Sequence, residues 1–343
     1  MINKGAREII KKKKAELGSK LVILGHHYQG DEVIEFCDYI GDSLELARRA
    51  SRIKEAEMIV FCGVYFMAET ASILAPQKSV FIPDPTAGCP LADMARTEDI
   101  ERAWEVIISI TKHVTPVTYV NSSALTKAFC GRQGGVVCTS GNANKVFSWA
   151  FERTDKIVFF PDRSLGKNTA SSLRIPENQV VEWDPADEMG GLDEDMISKA
   201  KVIVWKGWCP VHWPQLSPSD VYEIKSRYPG AKVIVHPETD PETVKASDMA
   251  GSTARILDYL KSLPPGETLA IGTEFNMVNR AARDFGKVLK ILPLKKVLCK
   301  DMAKITVEKL AKTLSDPENA HKVKVPDSVA GEAKIALERM LKI

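Results

Sequence analysis

The chain has 343 residues, 44% hydrophobic and 27% charged, and its 47 Lys and Arg against 45 Asp and Glu leave a net charge of +2. This composition excludes disordered, collagen-like and fibrous classes. The charge balance excludes a global attraction to nucleic acid or to an anionic membrane. Seven cysteines are too few for a disulfide scaffold and cannot all pair, so in a reducing compartment they are thiols or metal ligands.

The first segment is a basic, helix-prone stretch whose four lysines 11–14 read as the solvated face of a helix. It lacks the apolar run of about 7–15 residues of a signal peptide. No run of about 18 apolar residues occurs to cross a membrane. The predicted location is the cytoplasm.

Short β-branched runs follow, each ending in a polar or Gly-rich turn: 21–27, 58–66 and 80–89, then 116–123, 135–142 and 156–164, then 201–209, 232–239 and 268–274. Near-continuous Val, Ile, Leu and Phe marks strands buried on both faces, as in parallel sheets. Helical patterns lie between them; one spans 41–56 and begins at an Asp42 or Ser43 cap. The fold class is therefore α/β, read as three similar units of βαβ alternation. The predicted units are 1–88, 89–200 and 201–299, with helices in 300–343 packing on the first.

In parallel sheets ligands sit at the carboxyl ends of strands. Those ends carry His26, Tyr28, Tyr119, Asn121, Ser140, His236, Glu238 and Glu274, with Cys89 and Cys209. Their accumulation predicts one central site where the units meet. No CxxC or CxxH occurs, which excludes zinc ribbons and compact ferredoxin runs. Cys89, Cys209 and Cys299 are widely spaced and occupy distinctive turns. Cys37, Cys62, Cys130 and Cys138 sit in apolar or Gly-rich contexts and read as small buried hydrophobes. Two metals suit three converging thiolates: zinc with an open position, or an iron–sulfur cluster with one iron lacking a protein ligand.

Taken together, GHHYQ (25–29), GDSLELAR (41–48), GVYFMAETA (63–71), GCPLADM (88–94), YVNSSA (119–124), VCTSGNA (137–143), PDRSLGKN (161–168), WKGWCPVH (205–212), HPET (236–239), GSTARI (251–256) and IGTEFNMVNR (271–280), with Cys299 and Met302, run in the order of one family. The chain resembles quinolinate synthase, the A protein of de novo NAD biosynthesis. The resemblance implies three αβα units around a pseudo-threefold axis and one [4Fe–4S] cluster on Cys89, Cys209 and Cys299. It also implies the reaction: iminoaspartate and dihydroxyacetone phosphate condense to quinolinate, losing phosphate and two waters. Functional coupling to an enzyme producing iminoaspartate follows, with no nucleic-acid or membrane partner. The chain departs from the family pattern at Trp213 and Thr239.

That chemistry assigns expected roles. His26, Tyr28, His236 and Glu238 move protons. Ser43, Ser140, Ser252 and Thr253 hold phosphate or carboxylate, the last two at a helix start. Tyr119 and Asn121, two residues apart on an extended segment, face the same side and orient a carboxylate. Met67 packs on the product ring, and His212 lines the cluster end of the cavity. His27 points away by period-two alternation. Two other classes are carried alongside: a non-catalytic iron–sulfur sensor or electron carrier, and a zinc hydrolase using Cys, His236 and Glu238.

Overall fold

A computed structural model describes residues 4–343 of the chain. Thirteen strands form three sheets, every pairing parallel. The first contains β1 (Leu21–His26), β2 (Tyr39–Gly41), β3 (Met58–Cys62) and β4 (Ser79–Phe81) in the order β2-β1-β3-β4. The second contains β5 (Val114–Tyr119), β6 (Val136–Cys138), β7 (Lys156–Phe160), β8 (Val180–Trp183) and β9 (Val202–Trp205) in the order β6-β5-β7-β9-β8. The third contains β10 (Lys232–Val235), β11 (Met249–Ala250), β12 (Thr268–Gly272) and β13 (Lys290–Pro293) in the order β11-β10-β12-β13. Each sheet places its first strand between its second and third, so each reverses direction there. Such a switch point opens a crevice at the carboxyl ends of the two central strands.

All nine predicted runs are strands. The four that the sequence reading missed, β2, β8, β11 and β13, are sheet edges two to four residues long. Edge strands are covered less completely than central ones, so the apolar run is short or interrupted.

One boundary is corrected. Val202–Trp205, expected to open the third unit, lies in the second sheet, with Ile157 opposite Val202 on one side and Val180 opposite it on the other. The helix turn Glu194–Lys199 is short, and β9 returns directly to the sheet it left.

The C-terminal residues also depart from expectation. Helix Val307–Ser315 packs on helix Lys4–Leu17 beside the first sheet, but the last helix, Asp327–Lys342, lies on helix Ala124–Arg132 and β6. Gly131 permits that approach, because a Cβ there would stand 1.9 Å from the Glu332 carbonyl oxygen.

Helix starts follow side-chain capping. Asp42 is the cap of helix Ser43–Arg52: its Oδ1 accepts the Leu44 and Glu45 amides, both at 2.9 Å, and Glu45 Oε2 accepts the Asp42 amide at 3.0 Å. Ser252 caps helix Thr253–Ser262 through the Arg255 amide at 3.3 Å. No helix among the described residues is long and apolar enough to cross a membrane.

Candidate active site

The first strand of each sheet ends in a polar pair spaced by two. His26 ends β1 with Tyr28 two residues on, Tyr119 ends β5 with Asn121 two residues on, and His236 and Glu238 follow β10. All six line one cavity of about 580 Å³, within the range of about 300–1,000 Å³ of small-molecule sites. Tight turns follow β1 and β10, where the Gln29 amide donates to the His26 carbonyl at 3.0 Å and the Thr239 amide to the His236 carbonyl at 2.9 Å, and three strand ends deliver three pairs to one space.

Ser43, Met67, Ser140, Thr253, Cys89, Cys209 and Cys299 line the same cavity. Two expected members do not. His212 is fully buried behind the wall, its ring stacked on His236 at 4.5 Å. Ser252 spends its hydroxyl on its own cap and stands behind Gly141. His27 turns out of the cavity toward Glu45 at 3.8 Å.

The two cavity histidines share one local design. His26 Nδ1 accepts the Tyr28 amide at 3.2 Å, and His236 Nδ1 accepts the Glu238 amide at 3.3 Å. With Nδ1 occupied as an acceptor, the neutral ring carries its proton on Nε2. Burial depresses both: His26 falls well below the usual range, and His236 falls to about 3. Both are neutral N–H donors near pH 7.

Glu238 is 3% exposed and lies 2.6 Å from His212 Nδ1, off the line of the ring N–H, and 3.6 Å from His236 Nδ1. Burial works to raise its carboxyl, but the two imidazoles and the Tyr119 hydroxyl stabilise the anion and hold it below the ordinary range. Burial and then the Glu238 charge push the phenols of Tyr28 and Tyr119 well above theirs. The Asn121 side-chain oxygen is buried and has no protein partner, which leaves it free for a ligand.

The seven cysteines are free thiols. Cys89, Cys209 and Cys299 are raised, first by burial and further by one another or by neighbouring carboxylates; Cys299 reaches about 11. Three buried thiols on one cavity form a soft donor set suited to a cationic iron–sulfur group. Cys37, Cys62, Cys130 and Cys138 lie away from the cavity wall. Among the described residues, Cys209, His212 and Glu238 bring ligand atoms within 4.8 Å of one another, a second donor set.

Lys295, Lys296 and Lys300 also line the cavity, on the segment leading to and past Cys299. The sequence reading passed over them because lysines in a terminal loop carry no pattern. Asp42 was read as a helix cap alone, yet it also lines the wall.

The family model described as NadA: Quinolinate synthetase A protein matches residues 7–342. The curated quinolinate synthase of Acidobacterium capsulatum is 43% identical over 340 residues, covering 96% of this chain and 91% of that protein. The one from Corynebacterium glutamicum is 44% identical over 342 residues, covering 97% and 86%. The one from Geobacillus kaustophilus is 44% identical over 338 residues, covering 96% and 91%.

Proposed function

This chain belongs to the NadA family of quinolinate synthetase A proteins and is an enzyme of NAD biosynthesis that forms quinolinate; we propose that it does so from iminoaspartate and dihydroxyacetone phosphate, releasing phosphate and two waters. The supporting observation is the convergence of three buried thiols and three strand-end pairs on one cavity. Cys89, Cys209 and Cys299 would hold a [4Fe–4S] cluster. When bound, that cluster supplies a Lewis acid at an iron without a protein ligand.

The chain's own residues supply the rest. Ser43, Ser140 and the N-terminus of helix Thr253–Ser262, with Thr253 on the wall, receive phosphate and carboxylate oxygens. Ser252 acts by shaping that helix turn. Lys295, Lys296 and Lys300 add positive charge for doubly anionic substrates. Glu238, held ionised beside His212, accepts a proton from carbon in the enolisation. His26 and His236 donate their Nε2 protons to developing oxyanions, in a site too buried for water to compete. Asn121 and Tyr119 fix the dicarboxylate, and Met67 packs on the flattening ring.

The close Cys209, His212 and Glu238 trio favours a second reading, a mononuclear zinc-type ion. Against it, Glu238 already serves His212, His236 and Tyr119, and ligation would remove its proton-accepting role. Anaerobic purification decides between them. About four irons with sulfide per chain, lost together with turnover in Cys299→Ala, supports the cluster; one zinc per chain retained in Cys299→Ala refutes it. A loaded protein that forms no quinolinate from the two substrates refutes the reaction and leaves the sensor reading.

A further inference from the structure

The chain leaves β1 through the turn 26–30, which carries two cavity groups, His26 and Tyr28. His26, Tyr28 and Gln29 are buried, so the carbonyls of the turn need donors from the protein. Those at its two ends are served locally. His26 accepts the Gln29 amide, and Gly30 accepts the Val33 and Ile34 amides, all at 3.0 Å. The three carbonyls between them are taken by side chains from far along the chain. Arg280 Nη2 donates to the His27 carbonyl at 2.8 Å and to the Gln29 carbonyl at 2.9 Å, Arg280 Nη1 donates to Gln29 at 3.1 Å, and Asn276 Nδ2 donates to the Tyr28 carbonyl at 3.2 Å.

Asn276 and Arg280 are four apart on helix Phe275–Phe285, which puts them on one face. That helix packs along β13 of the third sheet, so one unit fixes a turn that belongs to another. The Arg280 side chain is only 12% exposed, and water competes weakly for its donors. Asp31, just past the turn, stands 3.3 Å from Arg280 Nη1 and also pairs with Arg283. A guanidinium offers several donors in a fixed fork, so one side chain serves two carbonyls two residues apart; an ammonium does this less well.

We propose that Arg280 is a positioning residue: with Asn276 it clamps the backbone of the turn 26–30, so that His26 and Tyr28 keep their places opposite His236 and Glu238 of the third unit. Arg280 stands behind the cavity wall and not on it, so it acts through the turn and not on the substrate. The proposal deepens the reading above, on which it rests for the roles of His26 and Tyr28. Without the clamp three adjacent carbonyls lose their donors and the turn shifts, which displaces both cavity groups together.

Arg280→Met keeps the stem and removes the fork, Arg280→Lys keeps the charge with a poorer fork, and Asp31→Asn removes the ion pair but leaves the carbonyl contacts. In the metal-loaded enzyme, Arg280→Met is expected to lower kcat about 10- to 100-fold with KM within about threefold, Arg280→Lys to lose about 3- to 10-fold, and Asp31→Asn less than about threefold. A readout free of turnover is hydrogen exchange. The Tyr28 and Gln29 amides, which bond to His26 Nδ1 and to the His26 carbonyl, should exchange about 10- to 100-fold faster in Arg280→Met, while the amides of β5 and β7 keep their wild-type rates. Unchanged exchange at Tyr28 and Gln29, or equal acceleration in β5 and β7, overturns the proposal even in a protein that makes no quinolinate. Wild-type kcat in Arg280→Met, or a loss in Asp31→Asn as large as in Arg280→Met, overturns it as well. If Arg280→Met does not fold, Arg280→Lys decides: faster exchange at the turn together with reduced kcat supports the clamp, and a wild-type value of either refutes it.

Discussion

Glu274 offers a quantitative test of how the third sheet is stabilised. Its side chain is fully buried at the start of helix Phe275–Phe285, where Oε2 accepts the Asn276 and Met277 amides at 2.8 and 3.3 Å while Oε1 has no partner. Burial outweighs those donors and raises the carboxyl from 4.5 to about 8. A group whose folded value is raised stabilises the fold fully below its unfolded value, and that stability is lost as pH rises through the folded one. The window is therefore between pH 4.5 and about 8. A rise of about 3.5 corresponds to about 5 kcal/mol across the window, of which about 3 kcal/mol is gone by pH 7. Glu274→Gln keeps an oxygen for both amides and removes the titration. Urea unfolding of both proteins, anaerobic and metal-loaded, at pH 5, 6, 7 and 8 gives the difference in stability. The variant should gain on the wild type as pH rises, by up to about 1.4 kcal/mol per pH unit. A difference that stays flat, or falls, from pH 5 to 8 would refute the assignment of Glu274 as a buried acid.

Glu238→Gln should retain its metal and its melting temperature to within a few degrees while kcat falls about 10²- to 10⁴-fold, the usual contribution of a positioned acid–base group. A loss below tenfold removes that role. Gly131→Ala should lower stability in urea by about 1–3 kcal/mol, since its Cβ would meet the Glu332 carbonyl at 1.9 Å; the gain in helix propensity of about 1 kcal/mol does not offset a backbone clash. Unfolding free energies equal within about 0.5 kcal/mol would show that the last helix shifts freely on its neighbour.

The cavity was legible in outline because its geometry is local. A strand buried on both faces writes itself as a continuous apolar run, and the first polar residues beyond it, at spacing two, face the carboxyl end together. Tyr119 with Asn121 follows from that rule, and His26 with Tyr28 and His236 with Glu238 stand in the tight turns that close their strands. The opening arithmetic of seven cysteines is sharpened in the same way: three line the cavity and four do not.

What depends on contacts between distant segments was not legible. Thr273 reads as one more turn residue until folding sets it between residues 245 and 61 positions away. His212 follows Cys209 by three and was expected on the wall, but the turn that aims the thiol inward carries the ring behind it. The place of Val202–Trp205 in the second sheet, and of the last helix against Gly131, likewise rests on which surfaces meet. Local sequence by itself determined the nine strands with continuous apolar runs, the Asp42 cap and the polar residues at their ends, because these need only backbone geometry and burial within a few residues. Tertiary structure alone decided which buried groups meet across the chain, because hydrogen bonds and charges act through space at a few ångströms, whatever the separation along the chain.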